Sequence, residues 1–135
     1  MVRTVLKIHV RLVAVAIPLL DRLLPLKHLL ALMTPRLRIG AYAPVPVEEI
    51  DACIREAVAN PRHMKRRACI RRGLLLLHFL RLSGREAVAT ISVGPDPSRP
   101  GKLLAHCWVS LEGRCVADPP APDMKPILHY PAPPR

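Results

Sequence analysis

Aromatic residues are nearly missing from this chain of 135 residues, which holds one Trp, one Phe and two Tyr. A platform that stacks successive bases of a single strand needs several exposed rings, so that mode of nucleic-acid binding is excluded. The four cysteines, Cys53, Cys69, Cys107 and Cys115, form no C-x-x-C pair. Zinc ribbons and thioredoxin-type redox motifs are thereby removed, and neither a metal nor a cofactor is expected. Long apolar runs are also missing. The longest uncharged one near the N-terminus, Leu12–Leu20, has nine residues, far short of the ~20 that span a bilayer. Pro18 interrupts it, Asp21-Arg22 ends it, and no A-x-A cleavage site follows, so it does not read as a secretion signal. A cytoplasmic location with reduced thiols is the expectation.

Acidic residues are absent from one stretch altogether. Residues 57–85 carry eight Lys or Arg and no Asp or Glu, so they supply +8 of the net charge of +11. Such a patch implies an anionic partner or an electrostatic task inside the patch. What the chain does have is apolar residues, at 50% of the total. That is too many for a disordered basic tail and enough for one core. Prolines number 16, ten of them from Pro95 onward.

The chain reads as one domain over 1–135: a helical extension and loop over 1–46, a core over 47–118 and a Pro-rich tail over 119–135. Residues 3–33 have helical patterning with breaks at Pro18 and Pro25. This segment either packs on the domain or lies on a membrane surface or partner. Residues 34–46 read as a loop. Ile50, Cys53, Ile54, Ala57 and Val58 make an amphipathic stripe over 47–59. Residues 68–82 form a helix with almost no polar face, hence a central one, closed by Ser83-Gly84. Alternation then gives strands over 87–93, 103–110 and 114–118.

Cys69 stands at the start of the central helix with Arg66, Arg67, Arg71 and Arg72 close in sequence. Free N–H groups and cations there favour a thiolate. A thiolate nucleophile needs an acid/base partner and an orienting group, and His106 and Asp118 lie on consecutive strands. Register decides whether they meet. A three-residue loop at Leu111-Glu112-Gly113 sets His106 opposite Asp118. A two-residue turn at Glu112-Gly113 turns Asp118 to the other face, unless a bulge restores the parity. Asp123 is a weaker acidic candidate. Cys107 and Cys115 are taken as packing residues, as is Trp108 beside His106.

Residues 61–118 resemble the transglutaminase-like thiol peptidases of lasso-peptide biosynthesis. Cys69-Ile70-Arg71-Arg72-Gly73-Leu74 is similar to that family's C-L-x-R-[AG]-L, and Ala105-His106-Cys107-Trp108-Val109 to its H-[AC]-W-V. The Leu-rich helix lies between them, and Glu112-Gly113 and Asp118-Pro119 follow in family order. The resemblance implies an α+β fold, a transglutaminase/papain-like core with N-terminal helices, Cys69 at the start of a central helix and a small antiparallel sheet. It implies a Cys69-His106-Asp118 triad that removes the leader of a ribosomally made precursor peptide. Arg66, Arg67, Arg72 and Trp108 would bind substrate or stabilise the thiolate. A separate leader-recognition protein and an ATP-dependent macrocyclase would be partners. The reading from another class is a non-enzymatic protein that binds RNA or an acidic partner through residues 62–72.

Overall fold

The computed structural model describes residues 1–59, 68–117, 119 and 122–132. Four helices precede four strands: α1 (Val2–Leu23), α2 (Leu26–Leu32), α3 (Val47–Val58), α4 (Ala68–Leu82), β1 (Ala87–Pro95), β2 (Leu103–Leu111), β3 (Arg114–Ala117) and β4 (Lys125–Tyr130). The strands form one antiparallel sheet in the order β3-β2-β1-β4. α4 lies between β1 and β2 on one side and α1 and α3 on the other. It is the central helix that its all-round apolar sequence requires. Ile70, Leu74 to Leu77, Phe79, Leu80 and Leu82 are all buried. The fold is the mixed α+β class expected.

Helix α1 differs from expectation at one proline. Pro25 does begin a new helix, but α1 runs through Pro18 to Leu23. An internal proline costs about 3 kcal/mol. The buried stripe Leu6, Val10, Ala14 and Ile17 offsets it, since each large aliphatic side chain contributes about 1.5–3 kcal/mol on full burial. Ion pairs tie α1 to α3 across the surface: Arg3 with Glu49, and Lys7 and Arg11 both with Glu56. The expected loop after α2 holds a short 3₁₀ turn at Gly40–Tyr42 and buries Tyr42 and Val45.

Part of the expected Pro-rich tail is a strand. Residues 125–130 form β4, which pairs with β1 through Ser92↔Pro126, Ile91↔Leu128 and Thr90↔His129, with a bulge at Ile91/Ser92. Edge position and the bulge accommodate Pro126, which has no N–H to give a second neighbour. The sequence hides this strand because prolines interrupt its alternation.

A small ring cluster joins α1, the 3₁₀ turn and α4. His9 Nδ1 lies 3.1 Å from Tyr42 Oη, and His9 and His78 each meet Phe79 edge-on. Burial pushes the His78 imidazole down to about 4, opposed by a hydrogen bond with the Met33 backbone and helped by His9. Burial also lowers His9. The native state therefore holds His78 neutral at pH values where the unfolded chain protonates it. Stability is full above the unfolded value of 6.5 and falls as pH drops toward 4. Urea unfolding at pH 7 and pH 4.5 is expected to show a loss of about 2 kcal/mol from this group. His78→Gln should flatten the profile by that amount, and an unchanged profile would refute the assignment.

Candidate active site

Cys69 is exposed in the first turn of α4. Gly73 follows four residues later on the same helix face, and it is the point where α4 meets the sheet. A Cβ added there would come within 2.6 Å of Cys107 Sγ and 3.2 Å of Cys107 Cβ. The absent side chain lets the helix approach β2 closely, and Cys69 becomes an electrostatic neighbour of Cys107. The helix runs back along the sheet: after Leu82, Gly84 (φ 87°) turns the chain into β1, whose Ala87 pairs with Leu111. Cys69 therefore overlies β2 one turn nearer the Leu103 end than Gly73 does. The sequence signal for this contact was a glycine four residues after a helix-start cysteine.

His106 directly precedes Cys107 on β2. Alternation places Cys107 and Val109 on the face toward α4, where both are buried, and His106 and Trp108 on the other face, half-buried. The His106 and Trp108 rings are near-parallel, 26° apart, with centroids separated by 6.3 Å. Across the ladder His106 opposes fully buried Ser92, whose Oγ lies 3.9 Å from Met124 Sδ. Beyond His106 on the same face is Leu104. With Pro95, Pro97, Asp123 and Met124 it lines a cleft of about 370 Å³. The weaker acidic candidate Asp123 thus sits on the wall of this cleft. Its rim is braced by Asp96, which accepts hydrogen bonds from the Ser98 hydroxyl, the Ser98 N–H and Arg99 Nε. Those bonds hold the Asp96 carboxyl down to about 2.

Of the two turns the sequence allows, the hairpin takes the shorter. Leu111 pairs with Arg114, so the turn is the two residues Glu112 (φ 51°) and Gly113 (φ 77°), the positive-φ pair that suits a right-twisted hairpin. A bulge then follows. Ser110 opposes Cys115 but Val109 opposes Ala117. The extra residue restores the parity that a three-residue loop gives, but two residues further along: that loop sets Val109 opposite Cys115, and here Val109 opposes Ala117. Asp118 itself lies outside the described residues, as do Arg66 and Arg67.

Arg72 and its neighbour Arg71 are drawn into the protein. Arg71 reaches Asp21 of α1 at 3.1 Å, with both side chains about nine-tenths buried. Arg72 lies 3.5 Å from buried Asp51 of α3, which also pairs with Arg55. Asp51 is thus a buried bridge from α3 to α4. Arg81 donates to the Ala87 carbonyl, and Arg85 to Ser83 Oγ and the Val45 carbonyl. Every described arginine of the basic stretch thus has a partner within the fold.

The remaining thiols divide by burial. Cys53 and Cys107 are buried and Cys115 is exposed, so Cys115 is not the packing residue it was taken for. Burial pushes the Cys107 thiol up to about 12, with Cys69 adding to the shift, and burial likewise raises Cys53. Among the described residues no three His, Cys, Asp or Glu side chains gather as a metal site would.

Two measurements test this arrangement. Iodoacetamide should modify Cys69 and Cys115 in the native protein, and Cys53 and Cys107 only after unfolding. Faster native labelling of Cys107 than of Cys69 would contradict the packing. Gly73→Ala should cost about 1–3 kcal/mol by overpacking, despite a helix-propensity gain of up to about 1 kcal/mol. Adding Cys107→Ala should recover much of that loss; strictly additive effects would show that the two residues do not compete for space.

No curated protein and no solved structure matches the chain. The family model of the transglutaminase-like superfamily matches residues 11–128, a span that takes in α4, both strands of the hairpin and most of the N-terminal helices. Members of that superfamily are typically cysteine-dependent enzymes. By that match over most of its length, the chain belongs to the transglutaminase-like superfamily.

Proposed function

We propose that the chain is a thiol peptidase that releases the leader from a ribosomally made lasso-peptide precursor. The observation that carries this reading is an exposed Cys69 at the start of a buried helix that Gly73 seats on β2; His106 is on that strand but on the face away from α4, so the reaction requires the two side chains to meet around the strand. The superfamily match supports a thiol enzyme. The motif resemblance around Cys69 and His106 supports the narrower substrate.

In this reading Cys69 Sγ attacks the carbonyl carbon of the bond between leader and core. The backbone N–H of Cys69, among the helix's first unpaired donors, faces the developing oxyanion. His106 gives its proton to the leaving amine, and the acyl group remains on sulfur as a thioester. His106 then takes a proton from water, the hydroxide adds to the thioester, and Cys69 thiolate is released. Asp118 orients His106. Trp108 stands beside the imidazole on the same face of β2. The cleft beside Leu104 receives an apolar side chain of the peptide. Arg66, Arg67 and Arg72 complete the electrostatic surroundings of the thiolate. A separate leader-recognition protein presents the precursor, and an ATP-dependent macrocyclase closes the released core.

The test uses the full chain with precursor peptide and recognition partner, followed by mass. Leader release is expected with the native protein and none with Cys69→Ala. His106→Ala should lower the rate by about 10²–10⁴. Cleavage by Cys69→Ala at the native rate would overturn the reading. Mass addition of an amine in place of water would redirect it to acyl transfer.

A further inference from the structure

Helix α1 carries a second apolar stripe that the fold leaves uncovered. Val5, Ile8, Leu12, Val15, Leu19 and Leu23 are each between 52% and 69% exposed. Their spacing of three or four residues lines them along one side of the helix, opposite the buried stripe of Leu6, Val10, Ala14 and Ile17. An exposed row of this length exceeds the scattered apolar residues normal on a surface.

The charges around the stripe identify what covers it. Residues 1–47 contain one acid, Asp21, and it is nearly buried against Arg71. Arg11 and Arg22 run along one flank of the stripe, given 100° per residue. Acids of α3 neutralise the N-terminal half, through Glu49 and Glu56. Among the described residues no acid pairs with exposed Arg22, Lys27 or Arg36. The outer face of α1 is therefore apolar along its middle with Arg22 on its flank, and the exposed bases Lys27 and Arg36 follow shortly after it in the chain, whose net charge is +11.

A second copy is a poor occupant. It would bring +11 against +11, and an antiparallel pairing centred on Leu12 would set the two Arg11 side chains beside each other. An anionic bilayer surface suits both features. Aliphatic side chains enter the interface by about 5–10 Å, and flanking Arg and Lys reach the phosphates. No described helix is long and apolar enough to cross the bilayer, so the mode is one of lying on the surface.

We infer that the outer face of α1 docks the domain on an anionic membrane surface, through Val5 to Leu23 and the basic residues Arg22, Lys27 and Arg36.

The test is co-sedimentation of the full chain with two kinds of vesicle: phosphatidylcholine alone, and phosphatidylcholine with phosphatidylglycerol at about 2:1. Sedimentation is expected with the anionic vesicles and much less with the neutral ones, and added salt should weaken it. Leu12→Glu should reduce binding about tenfold or more. Arg22→Glu with Lys27→Glu should reduce it without touching the apolar row. Circular dichroism is expected to show each variant folded, because these side chains are exposed. Absence of binding to anionic vesicles, or undiminished binding by Leu12→Glu, overturns the inference. So does a dimer by light scattering that Leu12→Glu dissociates, with no vesicle binding, since the stripe would then be covered by a second copy.

Discussion

The close seat of α4 on β2 is the constraint from which the rest of the structure follows. α4 is apolar on almost every side, so it must be covered all round, and helices α1 and α3 and the sheet do this together. The sheet side permits close approach only because Gly73 has no side chain where Cys107 comes in. A shift of α4 away from β2 would uncover Leu76 and Leu77, which share the face of Gly73, and carry Cys69 away from β2. Packing of this helix and placement of the candidate nucleophile are thus one physical problem with one solution.

The buried ion pairs stand on the same footing. Arg71–Asp21 and Arg72–Asp51 join α4 to α1 and α3 at the end of the helix that carries Cys69. A buried charge left without its partner costs about 3–5 kcal/mol, so each acid is tied to its arginine. The charge that looked in composition like a patch for an external anion is, in its described half, built into the fold. Among the described residues, exposed bases outside that stretch include Arg22 of α1, Lys27 of α2 and Arg36 beyond it, and α1 carries an apolar row that the core does not use.

Several features were legible because they depend on local chemistry alone. The limits of α4 follow from its apolar run and from Gly84 at positive φ. The limits of α3 follow from its stripe, and β1 and β2 from alternation. The α+β class follows from that order of elements. Other features were not legible, for stated reasons. Helix continuity through Pro18 depends on burial of the opposite stripe, which propensity does not contain. β4 is interrupted by prolines that an edge strand tolerates. The hairpin offered a loop or a bulge, and only the ladder on both sides of Val109 distinguishes them.

The sequence by itself determined the identities that chemistry requires: a cysteine opening a buried helix, a histidine followed by Cys107-Trp108 on a strand, and arginines around the helix start. Those are properties of residue type and short spacing. Only the tertiary structure decided what these residues are near. Arg72 finds Asp51, twenty-one residues away in sequence, and Arg71 finds Asp21, fifty away. Cys107 turns out to be the floor under Gly73, and Cys115 turns out to face solvent. The reason is physical: local propensity acts over a few residues, whereas burial, ion pairing and close approach are satisfied between segments that the chain order leaves far apart.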